Sequence, residues 1–125
     1  MNILVLEAST TSAKAMLYDT DTGKFDVKSR AYTGNYEDVT MHRADNVYEQ
    51  MIALGREVAA GHEISMISLS GTWHSLFLCD QDMKPVTPVY LWSYTGAAEV
   101  CKELREDPEY VKWFYNKTGC MVNAI

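Results

Sequence analysis

Near the amino terminus, the run Glu7-Ala8-Ser9-Thr10-Thr11-Ser12-Ala13-Lys14 brings a carboxylate, a series of hydroxyls and an ammonium into one short segment. On a turn between two strands, such a segment can present backbone N–H groups, the Thr10 and Thr11 hydroxyls and the Lys14 cation to a phosphate. Glu7 can hold a hydrated magnesium ion beside it. The same residues also make an ordinary Ser/Thr-rich hairpin turn, and their spacing does not separate the two readings.

A second segment, Ser70-Gly71-Thr72-Trp73-His74-Ser75, follows an apolar run at a glycine break. Strand ends in α/β sheets are where ligands dock, and a Trp beside a His can line a polyhydroxy ligand with an apolar wall and a hydrogen-bonding edge. The plainer alternative is a core Trp73 and a satisfied His74. Trp92, followed by Ser93 and Tyr94, is either a further wall of that cleft or a packing residue. His42 and His62 lie in loop-like surroundings and read as solvated. Tyr110, Trp113, Phe114 and Tyr115 recur at helical spacing and read as packing of a last helix, not as a ligand box.

These residues need a frame. Ile3-Leu4-Val5-Leu6 is a continuous apolar run, the pattern of a strand covered on both faces, and belongs at the centre of a sheet. Ala13, Ala15 and Leu17 alternate with Lys14, Met16 and Tyr18, and Asp19 to Gly23 supplies a tight reversal. From Lys24 to Tyr32, Phe25, Val27 and Ala31 oppose Lys24, Asp26, Lys28 and Arg30, which predicts a half-exposed edge strand. Residues 34–43 have no period and read as a loop.

Asp45 is placed to cap a helix carrying Val47, Met51, Leu54 and Val58 on one face, with Gly61 at its exit. Ile64 to Leu69 reads as a buried strand and Leu76 to Cys79 as its partner. A turn at 80–85 and a short strand from Val89 to Trp92 follow. Two helices, 97–105 and 108–118, close the chain, the second with Asp107 as cap, Pro108 in its first turn and Gly119 at its end. A meander followed by a crossover helix predicts an α/β domain with a mixed sheet.

With 125 residues and 47% hydrophobic content, the chain can build a core. The 17 acidic residues exceed the 11 basic ones, giving a net charge of −6. No basic run tracks a phosphate backbone, so nucleic acid is not an expected partner. No apolar stretch approaches the roughly 20 residues of a membrane span, and the first residues lack signal-peptide order, which predicts a cytoplasmic protein without membrane contact. Cys79, Cys101 and Cys120 are odd in number and set among apolar neighbours, as expected of reduced core thiols.

Taken together, the segments resemble the amino-terminal domain of the FGGY carbohydrate kinases, almost end to end. The apolar strand and Glu7-Ala-Ser9-Thr10-Thr11-Ser-Ala-Lys14 are similar to that family's strand and Asp-x-Gly-Thr-Thr-x-x-(Lys/Arg). Trp73-His74-Ser75 before Leu76-Phe-Leu-Cys-Asp80, then Pro85-Val-Thr-Pro88-Val-Tyr-Leu-Trp92 and Thr118-Gly119, follow in the family's order. The resemblance implies a ribonuclease H-like domain of the actin-like ATPase superfamily, with ATP and sugar meeting between two such halves. Residues 1–125 would then be one such amino-terminal portion.

It further implies that Thr10, Thr11 and Lys14 face the nucleotide phosphates and that Glu7 orients Mg2+ through water. Trp73, His74 and Trp92 would line the pocket of a sugar, polyol or sugar acid. The general base would be an Asp beyond Ile125, in a carboxy-terminal domain that this portion lacks, so the portion alone should not turn over. Its open face would favour a homodimer or bind an apolar dye.

Four positions depart from the pattern. Glu7 stands for Asp, extending the carboxylate by roughly one C–C bond, about 1.5 Å; Ser9 stands for glycine; Tyr94 and Gly96 stand where Trp-x-Asp-x-Arg would place an acid and a base. Met83 occupies a turn position often held by glycine. These departures give two rival expectations: a divergent actin-like ATPase domain with a regulatory or scaffold role, and a self-contained binding module.

Overall fold

The computed structural model describes residues 1–124, which form two compact units, Met1–Leu91 and a second beginning at Trp92. In the first unit, β1 (Asn2–Ala8), β2 (Ser12–Asp19) and β3 (Phe25–Ala31) make an antiparallel meander. After β4 (Met41–His42), α1 (Ala44–Ala59) crosses over the sheet and returns the chain to β5 (Met66–Gly71), which pairs with β1 in parallel. The four-stranded order is β3-β2-β1-β5, with β1 inside and β3 at an edge as the sequence predicts. A separate two-stranded ladder joins β4 to β6 (Val89–Tyr90).

The β2–β3 reversal is organised by Asp19. Its carboxylate accepts from the Thr22 hydroxyl at 2.7 Å and the Asp21 N–H at 3.0 Å, and Gly23 takes a positive φ of 69°. The core lies between the sheet and α1. Leu4 and Leu6 of β1, Ala13, Ala15 and Leu17 of β2, and Leu54 and Val58 of α1 are buried together. Small residues let the layers approach: a Cβ added at Gly55 would stand 2.6 Å from Leu6 Cδ2.

Only this face is closed. β1 was expected to be covered on both sides, yet Ile3 and Val5 are only half-buried, because α1 covers one face alone. β5, expected to be buried, is exposed throughout: α1 packs over β2, β1 and β3, and Ile67 and Leu69 keep 59% and 73% of their surface. On β3 the sides are reversed from expectation. Lys28 and Arg30 pair with Ala15 and Ala13, share the helix face and bind Glu57 at 2.8 and 2.7 Å, while Phe25 and Val27 point to the uncovered face.

Three local differences have simple causes. Arg43, not Asp45, is the α1 cap residue, and no side chain caps it; Asp45 sits in the first turn, and Asn46 donates to the Thr33 carbonyl at 2.6 Å, tying the preceding loop down. Leu76 to Cys79 does not pair with β5, because the turn at 80–85 folds it back onto the following segment. Leu76 bridges Tyr90 and Cys79 bridges Pro85. His42 is not solvated: within the expected loop it forms β4, is 7% exposed and meets the Tyr32 ring edge-on at 5.3 Å. Burial pushes its imidazole below the usual range. His62 is exposed, as expected.

In the second unit, α2 (Ala98–Arg105) and α3 (Pro108–Thr118) are joined by a short turn. Asp107 caps α3 by accepting from the Glu109 and Tyr110 N–H groups at 2.9 and 3.1 Å, and Gly119 ends it with a φ of 71°. Arg105 donates to the Val122 carbonyl at 2.9 Å, holding the following segment against α2. Tyr110 stacks with Phe114 and lies against Trp113. The cysteines are free but not core residues: Cys79 and Cys101 are half-buried and Cys120 is exposed. Among the described residues, no helix is long and apolar enough to cross a membrane.

Candidate functional site

Parallel pairing of β1 with β5 brings the two sequence segments to one edge of the sheet. Ala8 pairs with Gly71, and both chains leave the sheet there. The Thr72 N–H and hydroxyl both donate to the Ala8 carbonyl at 3.1 Å, so the 72–74 segment is tied to the start of the 9–11 turn.

The turn itself is tight. Ser9 N–H donates to the Ser12 carbonyl at 3.0 Å, and Ser9 Oγ binds the same carbonyl at 2.8 Å. Tyr32 N–H donates to the Thr11 carbonyl at 3.0 Å, anchoring the turn to the end of β3. Ser9 does not take a positive φ, so this backbone does not require glycine, and the serine side chain closes the turn itself.

Glu7 and Lys14 are cross-strand partners, with Lys14 Nζ donating to Glu7 Oε1 at 3.1 Å. Leu6, Ala13 and Ala15 point to α1, so by strand alternation Glu7 and Lys14 point to the uncovered face. Ser70 pairs with Glu7 on one side and Ser29 with Lys14 on the other, making a row of one polar residue per strand across all four strands. The rows further from this edge are mainly apolar: Val27, Met16 and Val5 with Ser68 on β5, then Phe25, Tyr18, Ile3 and Met66. The uncovered face is thus polar where the loops emerge and apolar away from them.

Trp73 and His74 stand just past β5. Their rings stack at 4.8 Å with an interplanar angle of 5°, and Trp73 keeps 80% of its surface. His74 has a φ of 63°, a conformation that costs a non-glycine residue on the order of 1–3 kcal/mol. At that exposure Trp73 is not the core residue of the plainer alternative. The adjoining Ser75 hydroxyl is buried and has no hydrogen-bond partner.

Trp92 opens the second unit and is about half exposed. Within the first unit the structure therefore brings together Glu7, Thr10, Thr11, Lys14, Trp73 and His74, whereas Trp92 belongs to the other unit. From the sequence alone Ser70 has no role of its own, since its place beside Glu7 depends on register, and His42 reads as solvated, where in the fold it packs against the half-buried Tyr32. The Tyr32 hydroxyl has no partner, and burial, with the negative charge of Glu7, pushes it up to about 12. A cavity of about 390 Å³ between the start of α1 and residues 85–88 is lined by none of the site residues.

Residues 2–125 match the FGGY family of carbohydrate kinases, N-terminal domain. The chain belongs to that family. It is 23% identical to a glycerol kinase of Clostridium botulinum (strain Eklund 17B / Type B), over 98% of this chain and 26% of that protein. The structure of Plasmodium falciparum glycerol kinase with ADP superposes with a TM-score of 0.82 at 19% identity, over 98% of this chain and 26% of that one. Gluconate kinase from Lactobacillus acidophilus gives 0.78 at 21%, over 98% and 25%.

The fold is thus that of the FGGY sugar kinases, an actin-like ATPase fold with a mixed sheet. The chain spans about a quarter of the length of the curated relatives it matches.

Proposed function

We propose that this FGGY chain is the amino-terminal part of an ATP- and Mg2+-dependent kinase that transfers the γ-phosphoryl group to a hydroxyl of a sugar, polyol or sugar acid. The observation that supports the reading is the shared edge: the Ser9–Ser12 turn with Lys14, and the strained Trp73–His74 platform, leave adjacent strands and are tied through Thr72. One group of residues suits phosphate and the other a hydroxylated ring or chain.

The donor set fits the nucleotide. Lys14 would exchange its bond to Glu7 for a phosphate oxygen, with the Thr10 and Thr11 hydroxyls beside it. Among the described residues, no cluster of three His, Cys, Asp or Glu can cage a metal. A single carboxylate at Glu7, reaching the ion through water, suits Mg2+, which keeps several waters and takes its other ligands from phosphates. Bound there, Mg2+ would neutralise charge on the transferring group.

Trp73 and His74 would orient the acceptor, and the base would come from the remainder of the kinase. The expected setting is cytoplasmic. The exposed Trp73–His74 platform weighs against a scaffold role, which has no use for a strained ligand wall.

Calorimetry on the full kinase polypeptide tests this reading. Acceptor binding that disappears in Trp73→Ala or His74→Ala, with ATP binding retained, supports it. No ATP consumption with any sugar, polyol or aldonate of a broad panel would overturn it.

A further inference from the structure

We propose that Asn46 and Gln50, two amides one turn apart on α1, are positioning residues for the phosphate turn: they fix the end of β3, and the end of β3 fixes Thr11. This rests on the kinase reading and adds to it residues that act through the backbone of the turn, not on the nucleotide.

The end of β3 is pinned on both sides. Toward β2, the Tyr32 N–H donates to the Thr11 carbonyl at 3.0 Å. At the next residue the backbone groups of a strand point the other way, and β3 is the outer strand of its sheet. Gln50 stands there in place of a further strand. Its Nε2 donates to the Thr33 carbonyl at 2.9 Å, and its Oε1 accepts from the Thr33 N–H at 3.3 Å. Asn46 Nδ2 donates to the same carbonyl at 2.6 Å.

The two side chains also hold one another. Gln50 Nε2 donates to Asn46 Oδ1 at 2.7 Å, and Asn46 Nδ2 donates to Asn35 Oδ1 at 3.1 Å, which accepts the Arg43 N–H at 3.1 Å as well. A planar amide offers donor and acceptor side by side, as a peptide group does; a carboxylate would lack the donors and set its charge against the Thr33 carbonyl. Both amides are half-buried, and α1 is itself seated in the core through Leu54 and Val58. The clamp therefore refers the place of Thr11 to the core. The acceptor platform is held separately, by Thr72 on the Ala8 carbonyl. Loosening the clamp should cost nucleotide binding and spare the acceptor.

The test uses the full kinase polypeptide, with MgATP binding by calorimetry and acceptor KM by steady-state kinetics. Asn46→Ala and Gln50→Ala should each weaken MgATP binding by roughly three- to tenfold. Acceptor KM should stay within about twofold. Because the amides share the Thr33 carbonyl and bind each other, the double variant should lose less than the product of the two single effects. Val58→Ala, which loosens the same helix from its buried face, serves as control: its melting temperature should fall at least as far, with MgATP affinity within about twofold.

A second readout needs no nucleotide. Hydrogen exchange at the Tyr32 amide, measured against the β1 amides, should quicken in the clamp variants and not in Val58→Ala. Should Gln50→Ala fail to fold, Gln50→Glu keeps the acceptor for the Thr33 N–H, loses only the donors and carries the same expectation. Clamp variants with unchanged MgATP affinity or unchanged Tyr32 exchange, or a Val58→Ala protein that loses as much affinity, overturn the proposal and leave the kinase reading intact. A wild-type polypeptide that binds no MgATP sinks the kinase reading, and the clamp with it.

Discussion

The two faces of the four-stranded sheet carry opposite duties. Toward α1, Leu4, Leu6, Ala13, Ala15 and Leu17 meet Leu54 and Val58 in a closed core. On the other side a polar row, Ser70-Glu7-Lys14-Ser29, crowns two mainly apolar rows that the described residues leave open. The contrast separates core-building residues from uncovered ones within single strands. Alternate residues of β1 and β2 hold the fold, and those between them lie on the open face.

Substitutions should respect that division. Leu54, 1% exposed, is enclosed by the core, and Leu54→Ala should lower unfolding free energy by about 2–5 kcal/mol in chemical denaturation. Val27→Ala, on the uncovered face at 49% exposure, should change it by less than about 1 kcal/mol while reducing binding of an apolar dye. Equal losses at both positions would erase the distinction.

Lys14→Ala should weaken ATP binding by roughly 10- to 100-fold, the worth of a charged hydrogen bond, with little change in melting temperature. An ion pair as exposed as Glu7–Lys14 contributes little to the fold itself. A large fall in melting temperature with ATP affinity intact would recast Lys14 as a structural residue.

His74→Gly sharpens the comparison at the strained platform. Glycine relieves the φ of 63°, so stability should hold or rise by up to about 1 kcal/mol, while acceptor affinity is lost. A loss of stability at full acceptor affinity would contradict it.

The smallest effect concerns pH. His42 is held below its unfolded value of about 6.5, so the unfolded chain binds the extra proton first. Its contribution is complete above that value and is lost as pH falls below it. His42→Phe should flatten this acid-side slope in thermal melts. At the alkaline end the raised Tyr32 hydroxyl acts in the opposite sense: stability is full below about 10 and declines as pH rises toward 12.

Much of this was legible in the sequence, for local reasons. The β1–β2–β3 meander followed from alternation and the Asp19–Gly23 turn, and α3 from Asp107, Pro108 and Gly119, because each signal lies within a few residues of what it shapes. What escaped depended on partners far along the chain. Ile64 to Leu69 looks like a buried strand by composition, but burial depends on what covers it, and α1 does not reach that far across the sheet. The inversion of β3 arose because Glu57 offers Lys28 and Arg30 a partner on the helix side.

At the site, Glu7 and Lys14 were visible as residue types in one short segment, whereas their pairing across β1 and β2 came from the register. The Thr72 tether and the Ser70 register were not visible either, since both need the parallel β1–β5 pairing. Family resemblance supplied the order of the segments; only the fold supplied their adjacency.

The most direct test is the amide NMR spectrum of this chain during titration with MgATP, followed by the candidate acceptor. MgATP shifts are expected at Ser9–Ser12 and Lys14, with acceptor shifts at Ser70–His74, two neighbouring patches on one sheet edge. MgATP shifts confined to α3 or to the cavity beside Tyr36 and Arg43, with the Ser9–Ser12 amides unmoved, would contradict that expectation.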